Sequence, residues 1–148
     1  MQGTPSTMQE NPVYQNVVTD IIEFLQDRVE ACINAGILRE NIIVDPGFGF
    51  GKSGDRNYYL LVGLEELGSL GQPLLAGVSR KKFLGRTLAS LYQGIDASVG
   101  CRGSASLAAA TAAILAGAQI IRVHDVRPAR EAAAIADAVL AAAAESMS

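Results

Sequence analysis

Three short stretches of the sequence gather the side chains able to do chemistry. The first, Asp45-Pro46-Gly47-Phe48-Gly49-Phe50-Gly51-Lys52-Ser53, sets a carboxylate, two aromatic rings and an ammonium around three alternating glycines. Glycines so spaced let the backbone approach a ligand closely or take dihedrals that other residues avoid; a plain strand-to-helix connection is the simpler alternative. Asp45 suits a flat heterocycle bearing amino and lactam N–H groups, because a carboxylate accepts two parallel hydrogen bonds in the ring plane. As an isolated Asp-Pro-Gly it would equally cap a turn. The second stretch, Gly77-Val78-Ser79-Arg80-Lys81-Lys82, places three adjacent cations where a helix is expected to open, and helix N–H groups and cations together favour an anion. The third, Arg122-Val123-His124, spaces an arginine and the only histidine two apart, which on a strand puts both on one face. Such a pair suits a phosphate clamp, since the arginine is hard to bury without an anionic partner, against the alternative of a structural histidine.

Gly51-Lys52-Ser53 invites comparison with a nucleotide-binding phosphate loop, and the comparison fails. Pro46 stands where that loop needs its first glycine, and proline has no N–H to offer phosphate. The alternation Gly47-x-Gly49-x-Gly51 also differs from the dinucleotide glycine pattern.

These stretches need elements to hold them, and the chain supplies an alternation of helices and short apolar runs. Asn11-Pro12 reads as the start of a helix running to about Ala35, with Val13, Val17, Ile21, Phe24, Leu25, Val29 and Cys32 at helical spacing and Gly36 placed to close it. Ile42-Ile43-Val44 reads as a buried strand, 57–70 as a helix ended by Gly68 and Gly71, and 73–78 as a second strand. A short helix from Arg80 to about Leu91, an Ala-rich helix over 102–116, a strand over 119–123 and a last helix from Pro128 to about Ala144 complete the order. Strands alternating with helices of this length imply a parallel α/β sheet of right-handed units, with Asp45, the Ser79-Arg80-Lys81 run, Arg122 and His124 at or beyond the strands' C-terminal ends. That is where barrels and open sheets of this class build their sites.

The chain has 148 residues, 49% hydrophobic and 18% charged, which suits one domain with a core and argues against disorder. Twelve Lys and Arg against 15 Asp and Glu leave a net charge of −3, with no cationic cluster longer than Arg80-Lys81-Lys82. That balance argues against nucleic acid as a partner. No apolar run reaches the length of a membrane span, and the N-terminus lacks the order of a secretory signal. Cys32 and Cys101 stand far apart with no CxxC spacing, so they are expected as free thiols in a reducing cytoplasm.

Taken together these motifs resemble dihydropteroate synthase, of the pterin-binding family. The matching stretches are Met1-Gln2-Gly3-Thr4-Pro5 with Thr7-Met8-Gln9, Asp45 to Lys52, Gly77 to Lys81, Arg102 with Ser106, and Arg122-Val123-His124-Asp125-Val126. They fall in the family's order and cover nearly the whole chain. The resemblance implies a single domain, 1–148, forming the C-terminal part of a (β/α)₈ TIM barrel: about three parallel strands with flanking helices, entered near the end of the fifth strand. A complete barrel takes about 250 residues.

The activity implied is condensation of 4-aminobenzoate with 6-hydroxymethyl-7,8-dihydropterin diphosphate to give 7,8-dihydropteroate and diphosphate in folate biosynthesis, assisted by Mg²⁺. By the resemblance, Asp45 holds the pterin amino and ring N–H groups, Lys81 contacts the pterin, and Arg122 and His124 bind the diphosphate. Phe50, Gly77 and the start of the helix after Ser79 form the aminobenzoate pocket, where sulfonamides compete. Phe48, Lys52, Arg80 and Lys82 are the remaining candidate substrate contacts. Lys82 departs from the family, many of whose members carry a hydroxyl residue there. The family's Mg²⁺-holding asparagine has no counterpart in this chain. The resemblance further implies small-molecule substrates, a cytoplasmic setting and a homodimer in the full-length form, here expected through the Ala-rich helix and the last helix. The competing readings are a non-catalytic fragment and a methyltetrahydrofolate-type pterin-binding methyltransferase barrel, which would have no use for the anion-binding cations.

Overall fold

The computed structural model describes residues 16–52 and 55–147. Helix α1 spans Val17–Asn34, and it starts later than Asn11-Pro12 suggests. Asn16 has extended dihedrals and its side-chain oxygen accepts from the backbone N–H of Val18 and Thr19, so the cap lies there. Asn11, Pro12 and Val13, like the Met1–Gln9 motif and Ser53, fall outside the described residues. The other end is as expected: Gly36 has φ +89°, Ile37 N–H reaches Cys32 O and Gly36 N–H reaches Ile33 O, which together satisfy the last carbonyls.

The expected helix over 57–70 divides into α2, Arg56–Val62, and a tighter 3₁₀ continuation, Gly63–Leu70. The change falls at Gly63, where a Cβ would stand 2.6 Å from Val18 of α1, so the two helical segments meet backbone-close there. Leu60, Leu64 and Leu67 are completely buried beneath this crossing.

The sheet is shorter than the apolar runs imply. Strand β1 is Leu75–Ala76 and β2 is Ile120–Ile121, paired in parallel with Leu75 opposite Ile120. The Ile42-Ile43-Val44 run contributes one parallel bridge, Val44 to Leu74, with Val44 N–H donating to Pro73 O and Leu75 N–H to Val44 O. The three segments therefore lie side by side in chain order, all parallel. Each regular ladder stops early because the chain turns into the Asp45, Gly77 and Arg122 loops.

Helix α3 spans Lys82–Leu88, followed by a 3₁₀ turn at Ala89–Leu91; α4 spans Gly103–Leu115 and α5 spans Val126–Ser146. Ser79, Arg80 and Lys81 thus lie in a loop before α3, and the expectation that they open the helix is corrected. Arg80 has φ +55°, a left-handed conformation incompatible with a right-handed helical turn. The core forms on one side of the parallel segments, from Ile42, Val44, Leu74, Ala76 and Val78 against α1, α2 and α4. Ile43, between two buried neighbours, is 53% exposed, so the opposite face is open. Among the described residues no helix is long and apolar enough to cross a membrane, and Cys32 and Cys101 are free thiols.

Candidate functional site

The loops leaving the three parallel segments bring Asp45, Lys81 and Arg122 together at one end of the sheet. Asp45 Oδ2 accepts from the Arg122 guanidinium at 3.1 Å, and its Oδ1 accepts from Gly47 N–H at 2.8 Å. Arg122 lies across Gly77, where a Cβ would stand 2.7 Å from the guanidinium nitrogen. Only glycine at the end of β1 lets Arg122 take this course. The ammonium of Lys81 sits 4.0 Å above the centre of the Phe50 ring, a cation–π contact. Burial pulls the Lys81 pKa below its usual value, the positive charge of Arg122 adds to the effect, and Asp45 opposes it.

Beside this group a cavity of about 340 Å³ is lined by Gly77, Ser79, Lys81, Val99, Arg122 and His124 among others. His124 Nδ1 and Ser79 Oγ are 2.9 Å apart, and Ser79 Oγ accepts from His124 N–H. The contact fixes the imidazole against the end of β1 and leaves Nε2 as its other hydrogen-bonding atom. Arg122 and His124 lie beyond β2, which ends at Ile121, so their common placement comes from the loop and not from strand alternation.

Several residues expected at the site are engaged elsewhere. Phe48 is 1% exposed and belongs to the core, so its expected ligand contact is corrected: the apolar run around the loop sends one aromatic inward and the other, Phe50, outward. Arg80 makes a bidentate pair with Asp125, its nitrogens 2.7 to 3.2 Å from the carboxylate, which ties the loop after β1 to the loop after β2. Lys82 is the first residue of α3 and its side chain is exposed, apart from the residues around the cavity. Lys52 is buried, and its ammonium donates to the carbonyls of Pro46, Gly47 and Phe50 at 2.9, 2.8 and 3.2 Å. Of the three consecutive cations, Lys81 alone faces the Asp45 side.

The left-handed turn at Arg80 is held from α4. Arg80 N–H donates to Ser106 Oγ at 2.8 Å, Ser106 Oγ donates to Arg102 O, and the Arg102 guanidinium reaches Arg80 O at 3.0 Å and Ala97 O at 2.8 Å. Gly85 leaves room for Arg102, since a Cβ there would stand 2.6 Å from its Nε. The residue that pattern reading missed is Asn57. It is 1% exposed, accepts from Gly49 N–H at 2.7 Å and donates to Lys52 O at 3.0 Å, clasping the glycine loop. Its signal is positional: the buried stripe Leu60, Leu64, Leu67 extended back one turn lands on Asn57, and a polar residue on an apolar stripe must find partners.

Among the described residues no three His, Cys, Asp or Glu side chains gather to hold a metal ion.

Residues 1–124 match the family model described as pterin binding enzyme. Dihydropteroate synthase of Haemophilus influenzae is 51% identical over 126 residues, covering 85% of this chain and 43% of that protein. The crystal structure of Yersinia pestis dihydropteroate synthase with a sulfonamide drug complex superposes with a TM-score of 0.88 at 44% identity, over 96% of this chain and 49% of that one. The Thermus thermophilus enzyme in complex with 4-aminobenzoate superposes with a TM-score of 0.80 at 35% identity, over 93% and 53%. The chain spans about half the length of the curated relatives it matches.

Proposed function

The chain belongs to the pterin binding enzyme family, and on that premise we propose that it carries the pterin, diphosphate and aminobenzoate residues of a dihydropteroate synthase within part of a (β/α)₈ barrel. Three adjacent parallel segments in chain order, helices on one face and an exposed Ile43 on the other support the barrel reading. In a barrel that second face is the interior.

The observation that carries the proposal is the grouping of Asp45, Arg122, Lys81 and Phe50 at the C-terminal ends of these segments. The reaction breaks the bond from the pterin methylene to the diphosphate oxygen, which leaves with the electron pair. The aminobenzoate nitrogen then bonds to the methylene and gives up a proton. Charge therefore develops in two places, positive on the pterin and negative on the diphosphate. A fixed carboxylate serves the first and cations serve the second.

Asp45 is held by Gly47 N–H on one oxygen and by Arg122 on the other. The incoming pterin N–H groups would replace Arg122 at Oδ2, freeing the guanidinium to stack over the ring and meet diphosphate beside His124. Lys81, its pKa drawn down by burial, donates a hydrogen bond to the pterin, while Phe50 supplies an apolar wall to the aminobenzoate pocket. Mg²⁺, when bound, would offset the negative charge developing on the diphosphate. We further propose a cytoplasmic setting and, in the full-length form, pairing through α4 and α5, where Leu115, Ile135 and Val139 are exposed.

Calorimetric titration of the folded chain with a non-hydrolysable pterin diphosphate analogue, with and without Mg²⁺, tests this reading. Saturable binding abolished by Asp45→Asn is expected. A folded chain that binds neither the analogue nor 4-aminobenzoate would overturn it and leave the reading of a non-catalytic fragment.

A further inference from the structure

We propose that Lys52 is a positioning residue, an internal cation around which the glycine loop folds so that Asp45 and Phe50 are set opposite Arg122 and Lys81. This deepens the reading above and rests on it. An ammonium has three N–H bonds, and in Lys52 all three are taken by main-chain carbonyls: Pro46 O, Gly47 O and Phe50 O. None is left for a substrate, which moves Lys52 from ligand contact to loop architecture.

The loop needs such a centre. Gly47, Gly49 and Gly51 all have positive φ, at +72°, +79° and +62°, so the chain between Asp45 and Lys52 curls too tightly to form a ladder with a neighbouring strand. Its carbonyls at 46, 47 and 50 converge on one point, and buried carbonyls without donors are costly. Lys52 fills that point from the C-terminal end of the loop. Asn57 clasps the outside by accepting from Gly49 N–H and donating to Lys52 O. With the loop so drawn in, Gly47 N–H meets Asp45 Oδ1 at 2.8 Å, and the Phe50 ring lies 4.0 Å beneath the Lys81 ammonium. Two functional side chains thus owe their placement to a third that touches neither substrate.

The charge environment agrees with an enclosed cation. Burial lowers the Lys52 pKa from 10.5 to about 8; the carboxylate of Asp45, at the end of the Val44 segment, opposes the shift, and Lys81, preceding α3, adds to it.

The test uses the 148-residue chain in solution without ligand. In Lys52→Ala, hydrogen-exchange protection of the Gly49 and Phe50 amides is expected to fall at least ~10-fold, while Ala110 and Ala113 in α4 keep theirs. Addition of n-propylammonium is expected to restore loop protection and n-propanol to leave it unchanged, because the site requires N–H donors and not volume. Unchanged protection in the variant, or equal rescue by the alcohol, would overturn the proposal. Should Lys52→Ala fail to fold, the wild-type chain still decides. Lysines occur only at 52, 81 and 82, and ¹³Cε titration, assigned with Lys81→Arg and Lys82→Arg, is expected to show Lys52 titrating well below 10.5 with the Gly47 and Gly49 amides following it. A Lys52 that titrates at its ordinary value, or amides that ignore it, would refute the assignment. These readouts need no pterin, so a chain that fails to bind pterin counts against the proposed function and leaves the role of Lys52 separately decided.

Discussion

Asp45 and Arg122 form an ion pair whose value lies in availability and not in stability. The side chains are 34% and 59% exposed, and a pair so open to water contributes at most about 1 kcal/mol. Asp45→Asn is therefore expected to shift the urea midpoint little, while weakening binding of a pterin diphosphate analogue by at least ~100-fold, since an amide both loses the charge and presents N–H to N–H. Parallel calorimetry and denaturation check the separation. Lys52 behaves oppositely, because its folded-state pKa of about 8 lies below the unfolded 10.5. Between those values the unfolded chain binds more protons, so rising pH favours the folded state, and below about 8 the gain is absent. Wild type minus Lys52→Met, compared by urea unfolding at pH 7, 9 and 10, is expected to show a difference that moves in favour of wild type as pH rises. A flat difference would show that Lys52 is not enclosed. Asp45, Lys81, Arg122, Phe50 and His124, singled out by residue type, all reach the same end of the sheet. What the sequence could not show was the fate of cations adjacent in the chain, because Arg80 is diverted by Asp125, forty-five positions away, and Lys52 by the carbonyls of its own loop. Pairing across loops depends on tertiary placement that residue type does not encode.

At the scale of elements, caps and glycines govern where helices begin and end, and the loops between them carry the site. Asn16 caps α1 by accepting from two backbone N–H groups, so Asn16→Ala is expected to cost about 1 kcal/mol, and Asn16→Asp far less. Gly117 closes α4 at φ +95°, with Gly117 N–H bonded to Ile114 O and Ala118 N–H to Ala113 O, and no atom lies within 4 Å of where its Cβ would be. Gly117→Ala therefore isolates backbone strain from crowding and is expected to cost about 1 to 2 kcal/mol. Thermal or urea unfolding of the two variants measures both. Among the described residues, the order of the α-helices and the Gly36 closure were legible from periodicity. The strands were legible in place but not in extent: the apolar runs over 73–78 and 119–123 each pair over two residues, with the Arg122 N–H still reaching Ala76 O and Ser79 and His124 bonding to each other beyond them. For the start of α1, Asn16 supplies the cap of the helix over Val17–Asn34, while Asn11-Pro12 lies outside the described residues.

At the scale of the molecule, burial is one-sided. The core lies between the parallel segments and α1, α2 and α4, and α5 completes the outer layer by burying only Ala129 and Ala136 of its 21 residues. Both are small, which lets α5 lie close on α4, where Ala110 and Ala113 are fully buried. Its outward face keeps Ile135, Val139 and Leu140 exposed at 67%, 50% and 41%, and Leu115 at the end of α4 is 43% exposed. Ile135 and Val139 are one helical turn apart and share a face, so water contacts a small apolar stripe that a second copy of the chain would cover. If copies pair there, sedimentation of the wild-type chain gives a dimer, and Val139→Glu gives a monomer whose far-ultraviolet dichroism is unchanged, because a charge at an exposed position disturbs an interface without disturbing the fold. Ile43→Ser serves as the contrasting variant: Ile43 lies on the open face of the sheet, away from α5, and its substitution is expected to leave association through α5 intact. Dissociation by Ile43→Ser and not by Val139→Glu would place the interface on the sheet, where the remaining strands of a barrel would otherwise belong.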